Sequence, residues 1–301
     1  MQLKAYAPGI YPRSEALVQA TRDLDRGRKK QEEVDQQLHQ DAEEFVAVQE
    51  QAGLTLISDG LLEWQDHFRP LVDRSEGLAA RPLSRFLDTN TFFRAVLVEG
   101  EPRLRHPIPA PNLPAGRWLA SLPSPYAFSR AAEGAVSAKA LAANVLAPQI
   151  ESYAKEGAAL VVLIDPFVAR DGNVAELVGA LAELPNEVPF ALQLSFGDAG
   201  PVLAELAEAR VEAIGVDFYS TSLDAIPTGY PKEIMAGVID SRSSALEDPA
   251  ELGRFAGELV ARNPAGVSLS PNGDLQFVPE SIAREKIARL GRSQAALEEV
   301  A

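Results

Sequence analysis

The chain has 301 residues, of which 46% are hydrophobic, so it is long and apolar enough to enclose one large core. Its formal net charge of −15 argues against nucleic acid and anionic membrane surfaces as partners, because both attract basic proteins. Cysteine is absent and histidine occurs three times, which excludes disulfides, thiolate metal ligands and cysteine nucleophiles and disfavours a multi-histidine metal centre.

Targeting and membrane signals are missing from the sequence pattern. No apolar run approaches the ~18 residues of a transmembrane helix. Residues 1–9 lack the apolar centre of a signal peptide. We therefore expect a soluble cytoplasmic protein.

The first half of the chain alternates short apolar runs with helical patterns. The runs that predict strands lie at 2–6, 54–58 and 118–122, and the helical patterns lie at 15–25, 28–51 and 61–71. Residues 92–105 are predicted to form a β-hairpin, inserted into this alternation, because two extended runs meet at residues 100–102. A proline-rich connector, 106–116, leads to the next strand.

The second half contains the clearest strand–helix–strand unit. Two short apolar runs, 190–195 and 213–217, enclose an alanine-rich helical pattern. Their hydrophobicity is continuous rather than alternating, which is typical of parallel strands buried on both faces. The other strands of this half are predicted at 160–165, 233–240 and 266–269. The other helices are predicted at 137–155, with an interruption near Pro148, at 174–184, from 248 onward and at 279–300.

Eight strands, each followed by helix, predict an α/β fold of the (β/α)8 TIM-barrel type, built as a single domain over 1–301 with the inserted hairpin. A doubly wound open sheet is the alternative. We disfavour it because no glycine-rich phosphate-binding turn follows any of the strands. Since such barrels carry their active sites at the carboxyl ends of the strands, polar residues at those ends are the functional candidates.

Five segments occur in order along the chain: 9–13 (GIYPR), 51–60 (QAGLTLISDG), 164–165 (ID), 237–240 (GVID) and 270–272 (SPN). Taken together, they resemble cobalamin-independent methionine synthase. The resemblance is to the C-terminal catalytic barrel of that family and covers nearly the whole chain, as in the short single-barrel relatives. It implies a barrel like those of methionine synthase and uroporphyrinogen decarboxylase, and a methyltransferase of methionine biosynthesis.

The resemblance also implies a zinc ion that holds homocysteine as a thiolate, and here the chain departs from the family. The positions that match the zinc ligands hold Gln193, Ser195, Asp217 and Gly273. Only the aspartate is a ligand type that zinc favours. The family's histidine after strand 233–240 is matched by Arg242, which does not act as an acid or base near neutrality. We therefore predict no metal and no other cofactor.

Three polar residues at strand ends are the candidates for catalysis. Asp165, Asp217 and Arg242 are expected to converge where the apolar runs of the barrel stop, and the resemblance implies that Asp165 faces a substrate amino group. An alternative is open for each one. Asp165 is also suited to capping a helix, and Asp217 to pairing with an arginine such as Arg242.

Eight further residues near strand ends are candidates for substrate contacts. They are Gly9, Tyr11, Glu63, His67, Tyr126, Tyr219, Asp240 and Asn272. For Tyr126 and Tyr219, packing of a loop on itself and packing at the core edge are the open alternatives. Trp64 is interpreted as a packing residue.

The residues therefore favour a small amino-acid-like ligand at the strand ends, and three functions stay open. The first is an enzyme that is a methyltransferase by ancestry but works without zinc. The second is a catalytically inactive binding barrel. The third is a subunit that supports a protein partner, with self-association left undecided.

Overall fold

Parallel strands form the centre of the molecule. The computed structural model describes residues 3–87, 89 and 91–298, with side chains up to residue 294. The strands are β1 (Lys4–Ala5), β2 (Ser75–Arg85), β3 (Phe92–Leu104), β4 (Trp118–Pro123), β5 (Ala132–Glu133), β6 (Ala158–Asp165), β7 (Phe190–Leu194), β8 (Ala213–Asp217), β9 (Glu233–Ile239) and β10 (Gly266–Pro271). Seven of them form one sheet in the order β1-β10-β9-β8-β7-β6-β4, and every neighbouring pair is parallel.

Helices connect these strands. They are α1 (Glu15–Asp25), α2 (Gln31–Gln51), α3 (Arg69–Asp73), α4 (Pro125–Arg130), α5 (Ala138–Leu141), α6 (Ala147–Lys155), α7 (Val168–Asp171), α8 (Val174–Leu181), α9 (Gly200–Leu206), α10 (Pro249–Ala261) and α11 (Glu280–Glu298). Among the described residues, no helix combines the length and the apolar character needed to cross a membrane.

The seven-stranded sheet is buried on both faces, as its continuous hydrophobicity predicted. Within β6, Val162 belongs to an apolar cluster with Leu119, Ala191 and Met235 on one face. Its chain neighbours Val161 and Leu163 belong to the larger cluster, which includes helix residues, on the other face. Side chains of a strand alternate between its faces, so one run of apolar residues supplies both layers.

The predicted strand at 54–58 forms a single bridge, between Ile57 and Trp118, rather than a regular strand. Its backbone is nevertheless hydrogen-bonded on both sides. Thr55 N donates to Ala5 O at 3.0 Å, and Leu119 N donates to Ile57 O at 2.9 Å. The segment therefore lies between β1 and β4, the two edges of the seven-stranded sheet.

A second sheet, in the order β2-β3-β5, corrects the predicted hairpin at 92–105. That stretch is one strand, β3, and its antiparallel partner is β2. Strand β2 was missed because it contains Gly77 and Pro82, two residue types that are disfavoured inside strands. The register shifts near both residues, and Gly77 has a positive φ of 71°.

Two helix predictions met different outcomes. The stretch 61–71 was predicted as helix, but it consists of turns until α3 begins at Arg69. The predicted break near Pro148 is confirmed, because a π-helical turn, Ala142–Leu146, separates α5 from α6. Proline has no N–H for the helical ladder, and a π-turn just before it accommodates that loss.

Candidate functional site

The loop after β10 is tied to the ends of β8 and β9 through one asparagine. Asn272 Nδ2 donates to Asp217 Oδ1 at 2.9 Å and lies 3.5 Å from Asp240 Oδ1. Its Oδ1 accepts bonds from both the backbone N and the Oγ of Ser241, each at 2.9 Å. The structure therefore brings together three of the predicted residues, Asp217, Asp240 and Asn272, at the carboxyl ends of neighbouring strands.

Two glycines allow this close approach of polar side chains. A Cβ on Gly237 would lie 2.8 Å from Asn272 Cα, and a Cβ on Gly215 would lie 2.9 Å from Gln193 Cα. Atoms essentially never approach a real Cβ so closely. Glycine at these two interior positions thus makes room for Asn272 and Gln193.

Gln193 and Ser195 end β7 beside this network. Gln193 Nε2 donates to Pro271 O at 2.9 Å. Gln193 Oε1 and Ser195 Oγ are buried and have no hydrogen-bond partner among the residues that the structure describes. A Cβ on Gly273 would lie 3.7 Å from Ser195 Oγ, so this glycine faces the serine. Unpaired buried polar atoms are rare in proteins and mark a place where water or a ligand binds.

Arg242 lies over this cluster. Its side chain is 38% exposed, and its Nη2 is 3.8 Å from Asp217 Oδ2. The guanidinium carbon also lies 5.0 Å from the ring centroid of Phe196. Phe196 has a φ of +62°, a strained value for a bulky residue, and such strain clusters at functional sites. The arginine pairing predicted for Asp217 is therefore observed, with the guanidinium still open to solvent.

Asp165 accepts its hydrogen bonds from residues outside this network, and its convergence with Asp217 and Arg242 stays a prediction. Its Oδ1 accepts bonds from Phe167 N and Val168 N, both at 2.9 Å, and its Oδ2 accepts one from Ser124 Oγ. The side chain is 0% exposed. Burial raises the pKa of Asp165 to about 6, although its hydrogen bonds oppose the rise. This geometry matches the capping alternative, since the carboxylate holds the start of α7.

His67 forms a buried pair with Asp274, the residue after Gly273, with 2.8 Å between Nε2 and Oδ2. Gly9, at φ +86°, packs against Asp274 and donates its N–H to Ser121 Oγ at 3.0 Å. Tyr11 stacks on Phe45 and donates its hydroxyl to Glu280 at 3.1 Å. Both residues have contacts within the protein, and a substrate contact by either stays a prediction.

Of the remaining predicted contact residues, the two tyrosines have hydrogen-bond partners within the protein. Tyr126 is buried in α4, and its hydroxyl donates to Asp171 of α7 at 2.6 Å. Tyr219 is half exposed, and its hydroxyl donates to Val238 O at 3.1 Å. Glu63 is exposed, and Trp64 is buried in the core, as its interpretation as a packing residue predicted.

Asp59 is a candidate that sequence reasoning missed. It follows the segment 54–58, and its Oδ1 accepts a bond from Leu61 N at 3.1 Å. Desolvation raises the pKa of Asp59 to about 6, and the charge of Glu63 adds to the rise. Its position after a predicted strand was the available signal. A carboxyl group with a raised pKa is suited to acid–base chemistry.

The chain's sequence is similar to known methyltransferases over part of its length, although no family model matches it. It is 34% identical over 110 residues to the 5-methyltetrahydropteroyltriglutamate–homocysteine methyltransferase of Mycobacterium tuberculosis. It is 31% identical over 170 residues to the protein of the same name from Mycolicibacterium paratuberculosis. These matches cover 35% and 48% of this chain but only 14% and 22% of the relatives.

Solved structures match over the full chain. A B12-independent methionine synthase from a Shewanella species, solved with selenomethionine, superposes with a TM-score of 0.78 at 15% identity, covering 100% of this chain and 99% of that one. A putative vitamin-B12-independent methionine synthase from Listeria monocytogenes gives 0.72 at 16% identity, covering 98% of each chain. At such identities the likeness shows the fold alone.

The fold is thus the α/β fold of the methionine synthase barrels. Together with the partial sequence matches, it confirms the resemblance that the five segments predicted. The chain resembles cobalamin-independent methionine synthase, in sequence over a third to a half of its length and in fold throughout.

Proposed function

We propose that this chain is a methionine-synthase-like protein that binds a small amino-acid-like molecule at the ends of β7 to β10, without the zinc–thiolate site of the family. One observation carries the proposal. Gln193 Oε1 and Ser195 Oγ are buried and unpaired among the described residues, at two positions that match the family's metal ligands. Hydrogen-bonding groups therefore stand where metal ligands are expected.

The donor set does not fit a zinc ion. Gln193 has already committed its amide nitrogen to Pro271 O, and Gly273 offers no side chain. Asp217 remains as the one carboxylate beside an amide and a hydroxyl, whereas zinc favours thiolate and imidazole. In the part of the chain that the structure describes, no three His, Asp or Glu side chains are grouped to hold a metal ion. Zinc-dependent methylation of homocysteine is accordingly not the activity we propose.

The fold that frames this site is, in our proposal, a closed (β/α)8 barrel over 1–301. The backbone bonds of segment 54–58 to β1 and to β4 support closure, because they join the two edges of the seven-stranded sheet. The β2–β3 pair is then an insertion outside the barrel. The full-length superposition on the Shewanella protein also supports this architecture.

The charges at the site suit the two ends of an amino acid. The exposed guanidinium of Arg242 offers a fork of donors to a carboxylate. Gln193 Oε1, Ser195 Oγ and the carboxylate of Asp217 provide acceptors for an ammonium group. We assign this role to Asp217 rather than to Asp165 because Asp217 bonds to Asn272 and lies 3.8 Å from Arg242 Nη2, whereas Asp165 bonds to Ser124 and to the start of α7. The selenomethionine bound by the Shewanella protein supports a ligand of this class.

Methyl transfer to a small amino-acid-like acceptor is the activity that the fold favours, and a binding protein without catalysis is the second candidate. The second candidate is favoured by the way Asp165, Asp217 and Asp240 are all engaged in bonds within the protein. Turnover of a methyl donor with a bound acceptor would select the first.

Calorimetry in the presence of a chelator tests the binding site. Methionine and homocysteine are titrated into the wild type, into Gln193→Leu and Arg242→Met, and into Ser152→Ala on α6 as the control. We expect saturable binding that each site variant weakens about tenfold, since each removes one polar contact. Absence of binding at millimolar ligand, or binding only after zinc is added, contradicts the proposal.

A further inference from the structure

The loop between β9 and α10 carries Arg242, the residue that we assign to the carboxylate of the ligand. After a turn at residues 241–242, residues 243–248 form neither helix nor strand. The bonds that hold this loop in place must therefore come largely from side chains. The contacts of the guanidinium itself are long, at 3.8 Å to an oxygen of Asp217 and 5.0 Å to the ring centroid of Phe196. The position of Arg242 thus depends on how its loop is held.

Glu247 joins the end of this loop to its beginning. Its side chain is 9% exposed, and its Oε1 accepts a bond from Asp240 N at 2.9 Å. The hydroxyl of Tyr219 lies 3.4 Å from the same oxygen. Asp240 in turn holds the residue of interest, because its Oδ1 accepts a bond from Arg242 N at 3.0 Å. The carboxylate of Glu247 is therefore connected to the backbone of Arg242 through one residue, Asp240.

Lys286 of α11 holds Glu247 from outside the loop. It is 0% exposed, and its Nζ donates to Glu247 Oε1 and to Ala245 O, both at 2.7 Å. Arg289, further along the same helix, donates to Glu247 O at 2.8 Å. Glu247 Oε2 is buried without a hydrogen-bond partner in the described part of the chain, so Oε1 makes the bonds of this carboxylate. The loop is thereby attached to a helix that lies outside the proposed ligand site.

The charges of Lys286 and Glu247 are an unusual means of holding a loop. Taking two charges out of water costs free energy that their attraction recovers only in part, so apolar side chains of similar size often stabilise a fold equally well. The pair differs from apolar packing in its direction, because Lys286 Nζ must reach Glu247 Oε1 and Ala245 O together. Such a pair is suited to fixing the place of a loop.

We propose that Lys286 and Glu247 are positioning residues, which hold Arg242 where its guanidinium meets the carboxylate of the bound amino acid. This inference rests on the proposed function and deepens it, because it names residues that set how strongly the site selects a carboxylate. Neither Lys286 nor Glu247 is expected to contact the ligand. Both act on it through Asp240 and Arg242.

Calorimetry with two ligands separates positioning from stability. Methionine has a carboxylate for Arg242, whereas methioninol has a hydroxymethyl group in its place. The variant Lys286→Met/Glu247→Gln removes both charges and keeps an acceptor for Asp240 N, so it should keep most of the stability of the fold while it releases the loop from α11. We expect methionine binding to weaken about tenfold and methioninol binding to stay within about twofold of the wild type.

A double-mutant cycle with Arg242→Met shows whether the effect acts through the arginine. In that background the changes at Lys286 and Glu247 should not weaken methionine binding further, since the group that they position is gone. The exposed pair of Lys139 and Glu183, 3.7 Å apart, gives the matched control Lys139→Met/Glu183→Gln, which should bind both ligands as the wild type does. Equal weakening of methionine and methioninol, an additive cycle, or wild-type methionine binding by the folded Lys286→Met/Glu247→Gln variant overturns the proposal.

A measurement without ligand keeps this test separate from that of the proposed function. The side chain of Arg242 lies near the ring of Phe196, whose ring current shifts the NMR resonances of the arginine protons. Arg242→Met identifies these resonances by their loss. In Lys286→Met/Glu247→Gln they should move toward the values of an exposed arginine, and unchanged resonances overturn the positioning role whether or not methionine binds. If they move but methionine does not bind the wild type, the proposed function fails and the positioning of Arg242 stands.

Discussion

Asn272 and Asp217 are joined by a buried hydrogen bond of 2.9 Å that connects the loop after β10 to the end of β8. The same asparagine accepts two bonds from Ser241, so a single side chain links three loops at the strand ends. Asn272 thereby holds the strand ends that line the proposed ligand site in fixed positions.

Replacing Asn272 with Ala should destabilise the protein by about 2–4 kcal/mol, because Asp217 loses a donor and Ser241 loses its acceptor in a buried place. Urea unfolding measures the loss. The control is Gln40→Ala, which removes an exposed amide bond to Glu44 on α2 and should cost less than about 0.5 kcal/mol. Equal losses in the two variants would contradict the role given to Asn272.

A buried ion pair holds the loop that carries Arg242. Lys286 is 0% exposed, and its Nζ donates to Glu247 Oε1 and to Ala245 O, both at 2.7 Å. Replacing Lys286 with Met should cost about 3–5 kcal/mol, because it leaves Glu247 buried without its cation. The double variant Lys286→Met/Glu247→Gln should recover much of this loss.

The exposed pair of Lys139 and Glu183 is the control for this cycle. Lys139→Met should cost no more than about 1 kcal/mol, as solvent screens a surface pair. Denaturant unfolding of the three variants beside the wild type gives the comparison. If the double variant is less stable than Lys286→Met alone, the ion pair of Lys286 and Glu247 does not hold the loop that carries Arg242.

The pair of His67 and Asp274 should stabilise the fold over a defined pH range. The pKa of His67 is raised, so its contribution is complete below its unfolded value of about 6.5 and is lost as pH rises through the folded value. The pKa of Asp274 is lowered by His67 although burial opposes this, so its contribution is complete above about 4 and is lost as pH falls. The stability difference between wild type and His67→Gln should therefore peak between about pH 4 and 6.5.

Thermal unfolding across pH checks this window. The exposed His39, paired with Glu43 on the surface, provides the control variant His39→Gln, whose difference from wild type should stay within about 0.5 kcal/mol. A His67→Gln difference that does not vary with pH would contradict the ion pair.

Asp165→Asn should behave as the loss of a buried charge rather than the loss of a ligand contact. Burial raises the pKa of Asp165 to about 6, above its ordinary value, so ionisation destabilises the native state as pH rises through that region. Relative to wild type, the variant should gain on the order of 2–3 kcal/mol between pH 4 and pH 8. Chemical unfolding at the two pH values measures the gain, and methionine binding should be unchanged. Weakened methionine binding would restore the substrate contact first expected of Asp165.

Much of the sheet followed from the sequence because parallel strands are buried on both faces. The runs at 160–165 and 213–217 contain few polar residues, and they form β6 and β8. Strand β2 escaped prediction for the opposite reason. It is mostly exposed, it contains Gly77 and Pro82, and its pairing with β3 depends on register shifts that sequence periodicity does not show.

The position of the site at the strand ends was predictable from the sequence, but the hydrogen bonds between its side chains were not. Asp217, Asp240 and Asn272 meet because parallel strands end at one face. Asp165 ends β6 equally well, but its carboxylate turns toward Ser124 and the start of α7. Successive side chains of a strand point to opposite faces of the sheet. The residue at which a strand ends does not show which face its last side chain occupies. Asp274 was missed because its role depends on His67, which is 207 residues away in the chain.

Zinc content tests the central claim most directly. Wild-type protein is incubated with zinc, dialysed against a chelator and analysed for metal, beside the variant Gln193→His/Ser195→Cys/Gly273→Cys, which restores the family's ligand types next to Asp217. We predict far less than one zinc per wild-type chain and a clear gain in the variant, since thiolate and imidazole are the ligands that zinc favours. About one zinc per wild-type chain after dialysis would contradict the account.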